Sequence, residues 1–350
     1  MSWVKFILFS WVRARFLQVE KEENVMKSLI KIRGIGTLFL IILLPVFLSI
    51  YGCGGGGGGG GAPAGVLYTG STSQATIDET NAVDIAEGAY TGGEIGGTIG
   101  SVGSVQEIGV DRPRYLQIAR AIEEAIRQID VHAPSGVVES GAIVSVSEDI
   151  YGACGGSAKY EVEADDTSGV FSGNMKFISF CSEGVTLSGT ADFSGTININ
   201  TEQLSQFTLT FNNLTATLGS DSLTLDGDIT YNFGPPAAVT MDMRQRDNAS
   251  GKVYWVSDFV MTVSEGTGYI QFEASGRFYN PDYGYVELST PTPFRINSGQ
   301  NWPSEGVMIL AGANNTKARL TVNSATTFVV EADADGDGTY EWSSGDLNWQ

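Results

Sequence analysis

The sequence predicts a mainly β protein: a curved antiparallel meander, closing into a barrel or half-barrel, with one amphipathic helix. Two observations support this fold class. Apolar residues fall on alternate positions through most of the chain after residue 135, and mostly Thr, Ser, Asp, Asn and Glu lie between them. Only one earlier stretch has apolar residues at helical spacing. Strands with one apolar and one polar face are typical of antiparallel sheets. We therefore expect an antiparallel β-domain over residues 133–350.

The N-terminal residues indicate export from the cytoplasm. An apolar run extends from Thr37 to Tyr51 and follows three basic residues, Lys27, Lys31 and Arg33. A basic start and a short apolar core form a secretory signal, and the run is shorter than the roughly 20 residues of a membrane-spanning helix. Met26 begins a signal of ordinary length. We therefore interpret residues 26–52 as the signal peptide and residues 1–25 as preceding the true start.

The end of this signal carries a recognisable motif. The residues Ile50-Tyr51-Gly52-Cys53 resemble the lipobox of bacterial lipoproteins, which has a branched apolar residue, a variable one, Gly or Ala, and then Cys. The resemblance implies cleavage before Cys53 and lipidation of that residue. In Gram-negative members Asp after the cysteine favours the inner membrane, so Gly54 implies the outer membrane, facing the periplasm or the exterior. An uncleaved signal anchor is the alternative.

Residues 53–110 are predicted to form a tether. Glycine is unbroken from Gly54 to Gly61, and Gly, Ser, Thr and Ala dominate the rest of the stretch. This composition is typical of a flexible coil. The tether would let the folded domain stand away from the bilayer.

The amphipathic helix is predicted over residues 111–132. Asp111 can cap its start, and Pro113 falls in the first turn, where a missing N–H costs little. Six apolar residues recur at helical spacing: Tyr115, Ile118, Ala119, Ile122, Ile126 and Ile129. We expect this face to pack on the sheet, with docking of a partner as the alternative. The single histidine, His132, follows the helix and is not expected to be catalytic.

The following segments alternate with period two. The clearest sets lie at 171–177, 185–199, 223–233, 253–263 and 270–278, with turn signals between them. Several glycines fall on the apolar face of these segments: Gly173, Gly189, Gly195, Gly227 and Gly276. Because glycine lets a strand bend sharply, they favour a curved meander. A two-sheet β-sandwich is the alternative. Three shorter strands are expected at 306–311, 319–322 and 327–332; they would close the same sheet, with a small separate subdomain as the alternative.

Cys154 and Cys181 remain once Cys53 is assigned to lipid. In an oxidising compartment a disulfide between them is the natural expectation. It would close a loop of roughly 27 residues and contribute about 3 kcal/mol to stability. Two free buried thiols are the alternative.

The most distinctive motif lies near the C-terminus, at Asp333-Ala-Asp-Gly-Asp-Gly-Thr-Tyr-Glu341. Carboxylates at positions 1, 3 and 5 with glycine at 6 resemble the first half of an EF-hand calcium loop. The metal ligands predicted from this resemblance are Asp333, Asp335, Asp337, Thr339 (through its backbone carbonyl) and Glu341. The motif departs from the EF-hand because Ser344 replaces the twelfth-position Glu and the flanks look like strands. It therefore predicts a structural Ca²⁺ site of the wider DxDxDG class, with an acidic hairpin turn as the alternative.

Composition narrows the function classes. The formal net charge of −20 disfavours nucleic acid as a partner. With one histidine and no nucleophile elbow or phosphate loop, no catalytic residue is predicted. We therefore expect a non-enzymatic envelope lipoprotein whose β-domain binds an apolar ligand or an envelope protein. The alternatives are a calcium-stabilised structural or adhesive surface module and a glycan hydrolase, for which Trp302, Trp342 and Trp349 could stack on sugars.

Overall fold

The computed structural model describes residues 65–101, 114–129 and 143–349, apart from positions 166, 202 and 235. All of these belong to one compact unit, residues 65–350. Within the described residues two helices precede the sheet, α1 (Ala82–Ser101) and α2 (Arg114–Arg127). Cys53, the signal segment and His132 lie outside the described residues. No helix within the described ranges is long and apolar enough to cross a membrane.

In the described part of the chain, fourteen strands follow in one antiparallel sheet, and their order in the sheet is their order in the chain. The predicted meander is thus confirmed, including the short C-terminal strands. The strands are β1 (Ile143–Tyr151), β2 (Gly155–Asp165), β3 (Val170–Ser182), β4 (Val185–Asn198), β5 (Gln203–Leu218), β6 (Asp221–Asn232), β7 (Ala237–Asp247), β8 (Val253–Gly266), β9 (Tyr269–Asn280), β10 (Gly284–Asn297), β11 (Glu305–Ala311), β12 (Lys317–Val322), β13 (Thr327–Asp333) and β14 (Trp342–Asn348).

The sheet is open. Among the described residues β1 and β14 are its two edges and do not pair with each other. Of the two forms that the sequence left open, a barrel or a half-barrel, the described sheet has the open one, and the alternative of two separate sheets is not found among the described residues. The sheet curves around α1, which packs against β7, β8 and β9 and also against β12 and β13. The helix α2 packs against α1, β3 and β4.

A repeated irregularity bends the strands. In three hairpins a residue with positive φ sits at a register shift in one strand, and a glycine with positive φ lies in the next: Ser179 with Gly189, Asn213 with Gly227, and Asp258 with Gly276. At Gly227 a Cβ atom would lie only 2.2 Å from the carbonyl oxygen of Asp242. Such bulges increase local twist, and they account for the curvature that the glycines predicted.

The concave face is packed with side chains from the helices. Ile85, Ile122 and Phe278 are among the largest fully buried residues, and they belong to one continuous apolar core. Trp302 and Trp349 stack with their ring centroids 5.1 Å apart, and Trp349 also stacks on Phe328 at 4.3 Å. These tryptophans pack on the core, so the expectation that they stack on sugars receives no support.

The predicted helix and tether boundaries need correction. The helix expected over residues 111–132 is α2, which is described from Arg114 to Arg127. The tether expected over residues 53–110 is wrong for residues 65–101, because α1 and the segment before it are folded. Buried apolar residues explain this: Val66, Ala75, Ile77, Ala82, Ile85, Ala86, Ala89 and Tyr90.

The segment before α1, residues 65–78, crosses the end of the sheet. Tyr68 packs on Trp255 and Tyr279, with ring centroids 5.8 and 5.6 Å away, and its hydroxyl donates to the carbonyl of Asn280 at 3.0 Å. Farther along, Ala75 N–H donates to the carbonyl of Tyr285 at 2.8 Å. These contacts fix the segment between the meander and α1.

The predicted disulfide between Cys154 and Cys181 is present. Cys154 lies in the turn between β1 and β2, and Cys181 lies near the end of β3. The bond therefore ties the first hairpin to the third strand.

Candidate metal centre

The candidate centre is the loop between β13 and β14. The strand β13 ends at Asp333, which is completely buried although it carries a carboxylate. Asp333 stands opposite Lys317 of β12, and Ala332 stands opposite Trp342 of β14. Strands on both sides thus fix the base of the loop. They confirm that the motif is flanked by strands and not by the helices of an EF-hand.

The carboxylate of Asp333 organises the turn. Its Oδ1 accepts a hydrogen bond from Gly336 N–H at 2.8 Å, and its Oδ2 accepts one from Gly338 N–H at 3.0 Å. Asp335 accepts from Asp337 N–H at 3.0 Å, and Asp337 accepts from Thr339 N–H at 2.7 Å. The bonds from the Thr339 backbone and side chain lower the pKa of the Asp337 carboxyl. The loop is therefore held by its own carboxylates.

Glycine is required where the loop meets a neighbouring turn. Gly336 has a φ of +77°, and a Cβ atom there would lie 2.4 Å from the carbonyl oxygen of Asn314. Asn314 belongs to a short 3₁₀ turn, Ala313–Asn315, between β11 and β12. The loop and this turn thus pack backbone against backbone.

Four carboxylates converge in this loop. One oxygen each from Asp333, Asp335, Asp337 and Glu341 can be chosen so that all four atoms lie within 4.8 Å of one another. Asp333 is buried and the other three are exposed. Such a group could hold a metal ion. The fifth predicted ligand, Thr339, lies in the same loop, and the role of its carbonyl stays a prediction.

The nearby Arg319 is engaged outside the acidic group. Arg319 pairs with Glu331 at 2.7 Å, and its guanidinium lies 4.2 Å from the ring centroid of Tyr340. Burial is the main cause that raises the pKa of Tyr340. No ion pair within the described part of the chain involves any of the four loop carboxylates. Among the described residues, no Lys or Arg forms an ion pair that would offset their mutual repulsion.

Two residues that follow the motif, Ser344 and Asp346, accept hydrogen bonds from groups outside the acidic loop. Ser344, at the twelfth position, accepts a hydrogen bond from Val330 N–H at 3.0 Å. Asp346 accepts one from the Asn323 side chain at 2.7 Å. Neither belongs to the acidic group, which agrees with the departure from the EF-hand pattern.

The supporting turn at Ala313–Asn315 is a part of the site that the sequence did not predict. Asn314 and Asn315 both have positive φ, at 57° and 63°. Asparagine adopts this conformation more readily than most residues. The adjacent Asn-Asn pair is thus a signal for a tight turn, although it does not indicate what packs on it.

Comparisons of this chain with protein-family models, curated proteins and solved structures find no match.

Proposed function

We propose that this chain is a non-enzymatic module of the cell envelope, stiffened by Ca²⁺ at the loop between β13 and β14 and anchored to the outer membrane through lipid on Cys53. The observation that carries the proposal is the convergence of Asp333, Asp335, Asp337 and Glu341 within 4.8 Å without an ion-pair partner in the described residues. A bound cation would remove the repulsion among them.

Calcium fits this donor set better than other common metals. The ligands are all oxygens, and Ca²⁺ takes six to eight of them in flexible geometry, whereas Mg²⁺ demands a near-ideal octahedron. The Thr339 carbonyl and water would complete the shell. The hydrogen bonds that Asp333 accepts do not exclude an ion, because each carboxylate oxygen has two lone pairs.

The position of the loop favours a structural role over a catalytic one. An ion there would join the end of β13 to the start of β14 and brace both against the turn Ala313–Asn315. It would stabilise the C-terminal edge of the sheet, since metal binding to the folded state alone adds to folding stability.

The filled interior supports this module over an apolar-ligand carrier. Residues of α1 and α2 cover the concave face, including Ile85 and Ile122 at 0% and 1% exposure. Binding of an envelope protein at the outer surfaces stays compatible with the proposal. Sequence alone supports the lipid anchor, and the stretch from Cys53 to Gly65 can span at most about 40 Å.

Thermal unfolding of the full chain in excess Ca²⁺, in Mg²⁺ and in chelator tests the proposal. At a hundredfold excess over the dissociation constant, Ca²⁺ should add about 2.7 kcal/mol to the free energy of unfolding. The double variant Asp335→Asn/Asp337→Asn should lose this gain. A control of equal charge change, Glu163→Gln/Glu265→Gln on exposed positions of β2 and β8, should keep it. Equal unfolding temperatures of the wild type in Ca²⁺ and chelator would reduce the loop to an acidic turn.

A further inference from the structure

The edge strand β1 is regular, and its charged residues are Glu148 and Asp149. It pairs with β2 through nine consecutive residues without a register shift, from Ile143 opposite Asp165 to Tyr151 opposite Ser157. Within the described ranges no strand pairs with its other side. It contains no Lys, Arg or Pro. Proteins usually blunt such edges with lysine, proline or a bulge, because the free N–H and C=O groups can pair with another chain.

The opposite edge, β14, is blunted. Its pairing with β13 shifts register between Val329 and Glu331. There the Ser344 hydroxyl accepts the hydrogen bond of Val330 N–H, and Gly345 has a φ of +69°. A bulge of this kind interrupts the ladder and turns the edge away. Only one of the two edges is therefore suited to pairing.

Exposed apolar residues mark both ends of β1. Ile143 and Tyr151 are 71% and 70% exposed and lie on the same face, because they are an even number of residues apart. Val170 of β3 and Ile178 of β3 are also more than half exposed. Ile178 stands opposite Ser157, which stands opposite Tyr151, so these two apolar residues share one row across the strands.

We propose that β1 pairs antiparallel with β1 of a second copy of this chain, around a two-fold axis through Ser147. In this register Ile143 of one copy stands opposite Tyr151 of the other, and the most exposed apolar residues of the strand cover each other. Ser145 stands opposite Asp149, and Val146 stands opposite Glu148. No two like charges stand directly opposite each other in this register. Like charges in that position would destabilise the pairing of the two strands. The result is one continuous sheet across the dimer.

The acidic surface gives this dimer a characteristic salt dependence. Each chain carries a formal net charge of −20, so two copies repel each other at low ionic strength. The Debye length falls from about 10 Å at 0.1 M salt to about 3 Å at 1 M. The dimer should therefore strengthen as monovalent salt is raised.

Disulfide trapping tests the register directly. In the full chain with Cys53→Ser, Ser147→Cys places one thiol opposite its symmetry mate, where antiparallel Cα atoms are about 4.5–5.5 Å apart and within disulfide range. Oxidation should yield a covalent dimer that is seen without reducing agent. The matched control Ser145→Cys puts the two thiols about 13 Å apart along the strands and should stay monomeric. Equal trapping of both variants, or trapping of neither, would overturn the proposal.

Sedimentation equilibrium of the full chain tests the apolar contacts independently of thiol chemistry. Ile143→Glu should raise the dimer dissociation constant by about tenfold, because the two-fold axis counts each altered pair twice. Ile199→Glu, at a residue that is 53% exposed outside the edge strands, makes the same change and should leave the constant unchanged. A monomeric wild type at all salt concentrations, or an assembly that grows beyond the dimer, would contradict pairing through β1.

Discussion

At the scale of single residues, Asp333 is the most constrained part of the candidate metal centre. It is completely buried, and its two carboxylate oxygens accept from two different backbone N–H groups of the loop. An amide in its place can accept only one of these bonds, and its NH₂ group would face the second donor. The residue therefore shapes the loop before any ion binds.

The variant Asp333→Asn should lose stability even in chelator, by about 1–3 kcal/mol, which is typical of an unsatisfied buried group. Asp335→Asn should leave stability unchanged or raise it slightly in chelator, because it removes one of the four converging charges while Asn Oδ1 can still accept from Asp337 N–H, and it should lower stability relative to the wild type only when Ca²⁺ is present. Urea unfolding with and without Ca²⁺ separates the two effects. Equal behaviour of the two variants in chelator would contradict the organising role of Asp333.

Glu123 is a second unusual residue, on the helix α2. Its side chain is 14% exposed and pairs with Arg127. Burial raises its pKa from 4.5 to about 8, and the nearby arginines Arg127 and Arg120 oppose this rise. Because the folded state favours the neutral acid, ionisation of Glu123 costs stability. The cost is absent below pH 4.5, grows as the pH rises, and is complete above pH 8.

The variant Glu123→Gln should remove this pH dependence. Its gain over the wild type should be near zero at pH 4 and reach roughly 1–3 kcal/mol at pH 9, since one unit of pKa shift corresponds to about 1.4 kcal/mol. Urea unfolding across this pH range measures it. Glu124→Gln, one position along the same helix, is the control and should preserve the wild-type slope. A variant that is less stable than the wild type at pH 9 would show that the ion pair outweighs burial.

At the scale of elements, α1 depends on close packing of its glycines against the sheet. A Cβ atom at Gly92 would lie 2.9 Å from Val256 Cγ2, and one at Gly88 would lie 2.7 Å from the ring of Phe278. The sequence shows these glycines as part of a Gly-rich stretch, which is typical of coil. Local composition cannot reveal that the same glycines let a helix approach aromatic residues some 190 positions away.

The substitution Gly92→Leu should destabilise the fold by about 1–3 kcal/mol, because overpacking forces side chains or backbone to shift. Thr91→Leu places the same side chain on a less buried position of the same helix and should cost less. Thermal unfolding of both variants measures the difference. An equal effect would contradict close packing at Gly92.

The meander, in contrast, could be predicted from sequence, because period-two alternation identifies the apolar face of a strand and turn signals separate neighbouring strands. The predicted segments correspond to eight strands, and the others were not predicted individually: β1, β2, β5, β7, β10 and β14. The open edges could not be predicted, because closure depends on twist and curvature accumulated over fourteen strands. Within the metal centre, the spacing of the acidic residues predicted the four converging carboxylates. The turn that supports them, Ala313–Asn315, lies about 20 residues upstream. It could not be predicted from the acidic motif, because nothing in the motif indicates which segment packs on it.

At the scale of the whole molecule, the candidate metal centre connects to the N-terminal segment through one turn. Gly336 packs on Asn314, and Ala313 N–H donates to the carbonyl of Ala75 at 2.7 Å. Ile77 N–H donates to the Thr316 hydroxyl at 2.9 Å, and Ile77 itself is completely buried. A cation at the loop would therefore stabilise both the C-terminal edge of the sheet and the segment that leads from the proposed lipid anchor.

Calorimetric titration of Ca²⁺ into the full chain measures binding at the candidate metal centre without reference to stability. We expect saturable binding of one Ca²⁺ per chain, abolished in Asp335→Asn/Asp337→Asn and retained in Glu163→Gln/Glu265→Gln. Magnesium at the same concentration should bind much more weakly, because the loop offers a flexible set of oxygen ligands. Absence of saturable binding to the wild type, or equal binding to the Asp335→Asn/Asp337→Asn variant, would contradict a calcium site between β13 and β14.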